Sequence, residues 1–168
     1  MSEQVSLDSL LPPAMASKAE DLGVKKANLK AANMFVLAVL AGAFIGIGAI
    51  FATTVAAGGA ALPFGVNRLL TGLVFTVGLI LVIVGGAELF TGNALITMAF
   101  ASKKVTGAQL LHNWVIVYVG NFVGAILTAY IVFLGKQYAF GGGAIGLAAL
   151  APVALAHSAG KVDAIGRI

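Results

Sequence analysis

The sequence predicts an all-α integral membrane protein with three membrane spans, the second of which is broken near its middle. Hydrophobic residues make up 60% of the 168-residue chain and charged residues only 10%, whereas a soluble domain carries about 25% charged residues. The mean hydropathy is +1.04. Residues 31–67 contain no charge, and residues 69–101 contain only Glu88. These two runs and a third apolar run define the spans.

Residues 1–30 predict a cytoplasmic tail with one short amphipathic helix. A helical pattern from Ala14 to Leu22 follows Pro12 and Pro13, and Gly23 is expected to close it. Proline favours the first helical turn and glycine the position after the last turn. The apolar face would lie on the membrane or against the bundle, with an ordinary solvated helix as the alternative. That face comprises Leu11, Met15, Ala19 and Leu22.

The first and third spans are continuous apolar runs of ordinary length. The first is predicted from about Asn33 to Ala57, where two glycines end it. The third is predicted over residues 114–134, after a short approach helix that Thr106 caps. Residues 135–168 are expected to form an extracytoplasmic loop and the start of a fourth span.

The second run, residues 69–101, has 33 residues, too many for one span of about 20 and too few for two. We therefore predict helix 2a over about 69–84, a loop over 85–92 and helix 2b over about 93–101. Broken backbone at membrane depth is tolerated where it lines a cavity or packs in protein. The positive end of helix 2b favours an anion, with Thr91 as a hydroxyl donor and Asn93 as a cap or amide donor.

Glu88 opposes this anion site, because a bare carboxylate beside an anion path would repel the substrate. We expect Glu88 to face away from the pore, neutralised by the dipole of helix 2b or by a partner in a neighbouring element. The alternative is that Glu88 only holds the loop in place.

Bulky apolar residues on helix 2a and in the loop are candidates for constrictions that demand dehydration of an anion. Phe75 and Leu79 lie one turn apart on one helix face, and Phe90 lies in the loop. Ordinary helix packing is the alternative for this pair. Lys161 would attract anions to an outer mouth, with a snorkelling lysine as the alternative.

Glycines at a spacing of four predict helix-packing faces in the first and third spans. Gly42 and Gly46 form one pair, and Gly120 and Gly124 form the other. Asn121, between the second pair, is expected to form an inter-helix hydrogen bond.

Lysine counting predicts the orientation. Four lysines precede the first span and two follow the second, whereas the other two loops carry only Arg68 and Lys136. The positive-inside rule therefore places the N-terminus in the cytoplasm of a multi-pass protein in the plasma membrane or cell inner membrane. Trp114 fits an aromatic belt at the cytoplasmic interface.

The residues predict no enzyme, no metal site, no cofactor and no nucleic-acid partner. The sequence shows no nucleotide-binding glycine loop, no metal-spaced ligand set and no nucleophile paired with a base. The net charge of +4 reflects lysines at the membrane surface.

The sequence resembles the formate/nitrite transporter family over essentially its whole length, and its N-terminal motif is more similar to the formate-channel branch. The GAELFTGN segment in the broken span is the most specific motif. The motifs that carry the resemblance are Leu10–Ala16, Pro63–Gly65, Phe75–Leu81, Gly86–Asn93, Asn113–Trp114 and Tyr118–Asn121.

The resemblance implies an aquaporin-like bundle, a homopentamer in the lipid bilayer, and one pore in each protomer. Six spans would form two inverted halves, of which this chain holds the first and the start of a fourth span. Small monovalent anions, formate foremost and nitrite or related anions also, would pass, with a proton as a candidate companion. Phe75 would belong to the outer constriction and Lys161 to an electropositive outer region. The inner constriction would comprise Leu79, Leu89 and Phe90, beside Thr91 on the mobile loop.

The sequence differs from the family pattern in its extent. Its 168 residues do not include the fifth span or the pore histidine that the resemblance implies. We expect a fragment or a truncated product, which alone should not transport. The alternative function is a non-transporting membrane assembly or regulatory module made of a half-repeat.

Overall fold

Three long apolar helices dominate the part of the chain that the computed structural model describes, residues 12–150. Lys161 and the predicted start of a fourth span lie outside these residues. Residues 144–150 add a last helical segment. The six named helices are α1 (Pro12–Ala27), α2 (Ala31–Gly58), α3 (Phe64–Val84), α4 (Phe90–Asn93), α5 (Ile96–Ala101) and α6 (Gly107–Leu134).

Helices α2, α3 and α6 are long and apolar enough to cross a membrane. Helix α2 packs against both α3 and α6. Small residues allow these helices to approach closely, since a Cβ at Gly78 of α3 would lie 2.8 Å from the carbonyl oxygen of Phe44 on α2. Close approach through glycine is typical of membrane helices, where dispersion contacts replace the hydrophobic effect.

Large apolar side chains cover the outside of this bundle. On α3, Leu69, Ile83 and Val84 are each 70% exposed or more. The described residues form three small interior clusters, one of which contains Met34, Ala38 and Val117, all fully buried. Large apolar side chains on the outside are expected where lipid or further protein covers the helices.

The N-terminal helix is longer than the sequence predicts. It runs from Pro12 to Ala27 and passes through Gly23, which was expected to end it. The prediction is wrong because this glycine serves a close contact: a Cβ at Gly23 would lie 3.0 Å from the Cβ of Ala99 on α5. Met15 and Leu22 of the predicted apolar face remain exposed, so α1 docks through its small residues.

Helix boundaries also differ around the second and third spans. Helix α3 begins at Phe64, one turn earlier than predicted, and Arg68 lies inside it rather than in a loop. Helix α6 is one continuous helix, so the separate approach helix before Trp114 does not exist. The cap on Thr106 is confirmed: Thr106 and Gln109 form a reciprocal capping box.

The second half of the broken span is an apolar helical segment from Phe90 to Ala101, which contains the predicted helix 2b but is interrupted at Ala94 and Leu95. Helix α4 begins at Phe90 rather than Asn93 and lasts one turn, and α5 follows after Ala94 and Leu95. Ala94 and Leu95 keep right-handed helical dihedrals, so the interruption weakens the alignment of the peptide dipoles without ending it. The anion site expected at the N-terminus of helix 2b stays a prediction.

Candidate functional site

An open cleft of about 660 Å³ lies beside the break between α3 and α4. Helix α1 contributes Leu22 and Lys26 to its wall, α3 contributes Leu79, and the loop and α4 contribute Leu89 and Thr91. The wall is mostly apolar, with one ammonium group and one hydroxyl. This arrangement suits a small solute that loses part of its hydration shell.

The cleft brings together three of the residues predicted for an anion path. Leu79, Leu89 and Thr91 all line it. Phe75 lies one turn before Leu79 on the same face of α3 and is 39% exposed.

Phe90 and Asn93 lie on the opposite side of the loop, within the bundle. The Phe90 ring meets the rings of Trp114 and Tyr118, with centroids 5.9 and 5.6 Å apart. Asn93 is fully buried. Both residues therefore support the loop from behind in this structure, and neither Phe90 nor Asn93 contributes to the wall of the cleft.

Helix α3 ends in a Schellman motif, which turns the chain into the loop. The N–H of Ala87 donates to the carbonyl of Val82 at 3.0 Å, and the N–H of Gly86 donates to Ile83 at 3.2 Å. Gly86 has a φ of +60°, a conformation that glycine adopts without steric cost. Residues 87–89 are then free to run without helical structure.

Glu88 is buried in a polar cluster behind the loop. Its side chain is 6% exposed and pairs with the Lys26 ammonium at 2.7 Å. Its second carboxylate oxygen accepts from Asn93 Nδ2 at 2.8 Å. The expected partner in a neighbouring element is thus Lys26 of α1, and the carboxylate is neutralised before its charge reaches the cleft.

One further amide and an indole complete this cluster. Asn93 Nδ2 also donates to Asn113 Oδ1 at 2.8 Å, and Asn113 Nδ2 donates to the backbone carbonyl of Lys26 at 3.1 Å. The indole N–H of Trp114 donates to the Asn93 carbonyl at 3.1 Å. Every buried side-chain nitrogen and oxygen in the described residues has a partner, as a charge in the bundle requires.

Asn121 forms the inter-helix hydrogen bond that the sequence predicts. Its Nδ2 group donates to the carbonyl of Ala38 on α2 at 2.8 Å. The same group donates to the Glu88 carbonyl at 2.9 Å, and Oδ1 accepts from the Phe90 N–H at 2.9 Å.

The predicted glycine faces lie where α2 and α6 cross. A Cβ on Gly42 would overlap the backbone of Asn121, and one on Gly124 would overlap the carbonyl oxygen of Val39. A Cβ on Gly120 would meet Ala38, and one on Gly46 would meet the side chain of Thr128. The helices therefore touch backbone to backbone at this crossing.

Polar contacts clasp α1 to the loop after α5. Lys104 Nζ lies 2.8 Å from Glu20 and 3.5 Å from Asp21, and the Ser102 hydroxyl donates to Glu20. The hydrogen bond from Lys104, and then that from Ser102, hold the pKa of Glu20 below its ordinary value. The hydrogen bond to Glu20 likewise raises the pKa of Lys104.

Lys26 is the site residue that the sequence reasoning missed. The sequence pattern presents it only as one of the lysines that set the orientation, yet it lines the cleft and pairs with Glu88. The available signal was the isolated Glu88 in an apolar run, because a buried carboxylate requires a cation. In the described residues no group of three or more acidic, histidine or cysteine side chains is placed to hold a metal.

Comparison with known proteins decides the family. A family model described as formate/nitrite transporter matches residues 13–165. The chain belongs to the formate/nitrite transporter family. As a member of this family of channels and transporters it has the predicted fold class, an all-α membrane bundle of the aquaporin-like kind.

Individual family members show how far the likeness extends. The formate channel FocA of Escherichia coli K12 is 45% identical over 140 residues, which are 83% of this chain and 49% of that protein. A solved pentameric formate channel with formate bound matches 72% of this chain and 48% of its own, with a TM-score of 0.68 and 45% identity. A solved FNT family ion channel matches 74% and 50%, with a TM-score of 0.65 and 29% identity. The chain spans about half the length of the curated relatives it matches.

Proposed function

We propose that this protein conducts small monovalent anions, formate foremost, through a pore that the cleft beside the broken span helps to form. The observation that carries the proposal is the family match over residues 13–165. The 45% identity to a formate channel supports formate as the first substrate to test. No feature of residues 12–150 favours the alternative of a non-transporting half-repeat module.

The geometry of the cleft supports a specific division of roles. Leu79 and Leu89 supply apolar walls that make an anion shed water. The Thr91 hydroxyl replaces part of the lost hydration by donating a hydrogen bond. The Lys26 ammonium neutralises Glu88, so the path presents no net negative charge to an approaching anion.

The family match also supports a proposal for the oligomeric state, and the positions of the lysines support one for the orientation in the membrane. We propose a homopentamer, in which exposed apolar faces such as those of Leu69 and Leu73 meet lipid or other protomers. The contacts of Lys104 with α1 bring two lysine-rich segments to one end of the bundle. This supports a cytoplasmic N-terminus in the plasma membrane or inner membrane.

The Thr91 hydroxyl provides a direct test. Thr91→Val keeps the shape of the side chain and removes the hydroxyl. In a complete pore that contains this half-repeat, formate flux into proteoliposomes should therefore fall about fivefold, the effect of one hydrogen bond worth about 1 kcal/mol. Thr97→Val is the matched control, because the Thr97 hydroxyl bonds only to the carbonyl of Ala94 in its own segment. It should leave the flux unchanged.

Two outcomes would contradict the proposal. A complete pore that contains this half-repeat, is correctly folded and passes neither formate nor nitrite would rule out anion conduction. An equal loss in the Thr91 and Thr97 variants would show that the hydroxyl of Thr91 has no special role in the path. Measuring the flux at several pH values also tests whether a proton accompanies the anion.

A further inference from the structure

The side-chain amide of Asn121 on α6 bonds to the backbone of the broken loop on both sides of Leu89. Asn121 Oδ1 accepts from the N–H of Phe90, just after Leu89. Asn121 Nδ2 donates to the carbonyl of Glu88, just before it. The second Nδ2 hydrogen goes to Ala38 on α2, so both donors and one acceptor of the amide are in use.

Helix α4 has no cap of its own. Its N-cap residue is Leu89, whose side chain forms no capping hydrogen bond. The first turn of a helical segment is the costly one to form, because nucleation fixes several residues for one hydrogen bond. The bond from Phe90 to Asn121 therefore acts as a cap supplied from another helix.

The crossing of α2 and α6 makes this reach possible. A Cβ on Gly42 would overlap the backbone of Asn121, so α2 lies directly against this point of α6. A short asparagine side chain then spans from α6 to the Ala38 carbonyl and to the loop together. The predicted glycine faces therefore have two roles: they let α2 and α6 pack closely, and they position the side-chain amide of Asn121.

We propose that Asn121 is the positioning residue of the anion path, and that it fixes Leu89 and Thr91 in the cleft by holding Glu88 and Phe90. This inference rests on the proposed function, because Leu89 and Thr91 line the cleft assigned to the anion. Asn121 itself touches no solute. Its loss should loosen the loop and change which anions pass, while the three spans stay folded.

The first test compares anions of two sizes. Asn121→Leu keeps the volume and removes all three bonds. In the same complete pore, formate flux should therefore fall about tenfold while the ratio of propionate to formate flux rises. Thr128→Val is the matched control, because Thr128 lies on the same helix and its hydroxyl bonds only to Gly124 of that helix. It should leave the ratio unchanged. A purely structural role would lower both fluxes in proportion to the folded protein and would overturn the inference.

The second test is amide-resolved hydrogen exchange of the full chain in lipid nanodiscs, which does not depend on transport. In the wild type the Phe90 amide should be protected. In Asn121→Leu it should exchange about tenfold faster, while the amides of α2 and α6 keep their rates. An unprotected Phe90 amide in the wild type overturns the inference even if the variant fails to fold.

The two tests separate the inference from the proposed function. If the wild type passes no anion but the Phe90 amide behaves as expected, the function is wrong and the loop-positioning role stands. If formate passes and both the selectivity and the exchange of Phe90 survive Asn121→Leu, the function stands and the inference fails.

Discussion

The buried pair of Lys26 and Glu88 gives a quantitative prediction about stability. The side chain of Glu88 is 6% exposed and that of Lys26 is 30% exposed. Lys26→Met leaves a buried carboxylate without its cation, which costs about 3–5 kcal/mol in comparable sites. We expect about 3 kcal/mol, at the low end, because position 26 lines an open cleft from which water can reach the space that the ammonium leaves.

Because the two side chains are buried to different degrees, the two single substitutions should lower the free energy of unfolding by different amounts. Glu88→Gln should cost only about 1–2 kcal/mol, since the partly exposed ammonium of Lys26 is able to turn towards water. The double variant should cost no more than Lys26→Met alone, because neither charge is then left unpaired. A double-mutant cycle should therefore show coupling of about 1–2 kcal/mol.

The assay is unfolding in mixed micelles of dodecylmaltoside and SDS, followed by the fluorescence of Trp114, the chain's single tryptophan. Lys25→Met is the matched control: Lys25 is exposed and forms no ion pair within the described residues. It should stay within about 0.5 kcal/mol of the wild type. The reasoning is refuted if Lys26→Met does the same, or if the two single effects add in the double variant.

Two further predictions concern the contacts around the site. Gly124→Ala places a methyl group against the Val39 carbonyl and should cost about 1–3 kcal/mol in the same assay, whereas Gly72→Ala, with open space around it, should not destabilise the fold. The lowered pKa of Glu20 means that its ion pair with Lys104 stabilises α1 docking above the ordinary pKa of 4.5, and that this stabilisation disappears as pH falls through the lowered value. The raised pKa of Lys104 sets the opposite limit, because the ion pair breaks as pH rises above 10.5 through the raised value. A polarity-sensitive dye on Met15→Cys should report the acid transition, and a transition that persists in Glu20→Gln would contradict this assignment.

The fold class was predictable because it depends on composition and run length. Apolar runs without charge require helices in lipid, and a run of 33 residues with glycines and Glu88 at its middle indicates a broken span. Boundaries were less predictable. Gly23 has the sequence signature of a helix end, yet it serves a tertiary contact with α5, which local pattern does not encode.

The sequence predicted which residues lie near the candidate site better than it predicted the direction in which their side chains point. Leu79, Leu89 and Thr91 line the cleft as expected. Phe90 and Asn93 are within two residues of Thr91, but the one-turn helix α4 directs them into the bundle. The direction of a side chain in so short a helix depends on the start of that helix, which Asn121 determines from a distant part of the sequence.

The pair of Lys26 and Glu88 also has a consequence for membrane insertion. Lys26 precedes α2 and Glu88 follows α3, so the pair closes only after both helices have entered the bilayer. Until then Glu88 is an unpaired carboxylate. A charged side chain such as that of aspartate costs about 2.5–3.5 kcal/mol at the centre of a membrane helix on the scale of translocon insertion. We therefore expect α1, although it is synthesised first, to complete its docking only after α3 has brought Glu88 into place.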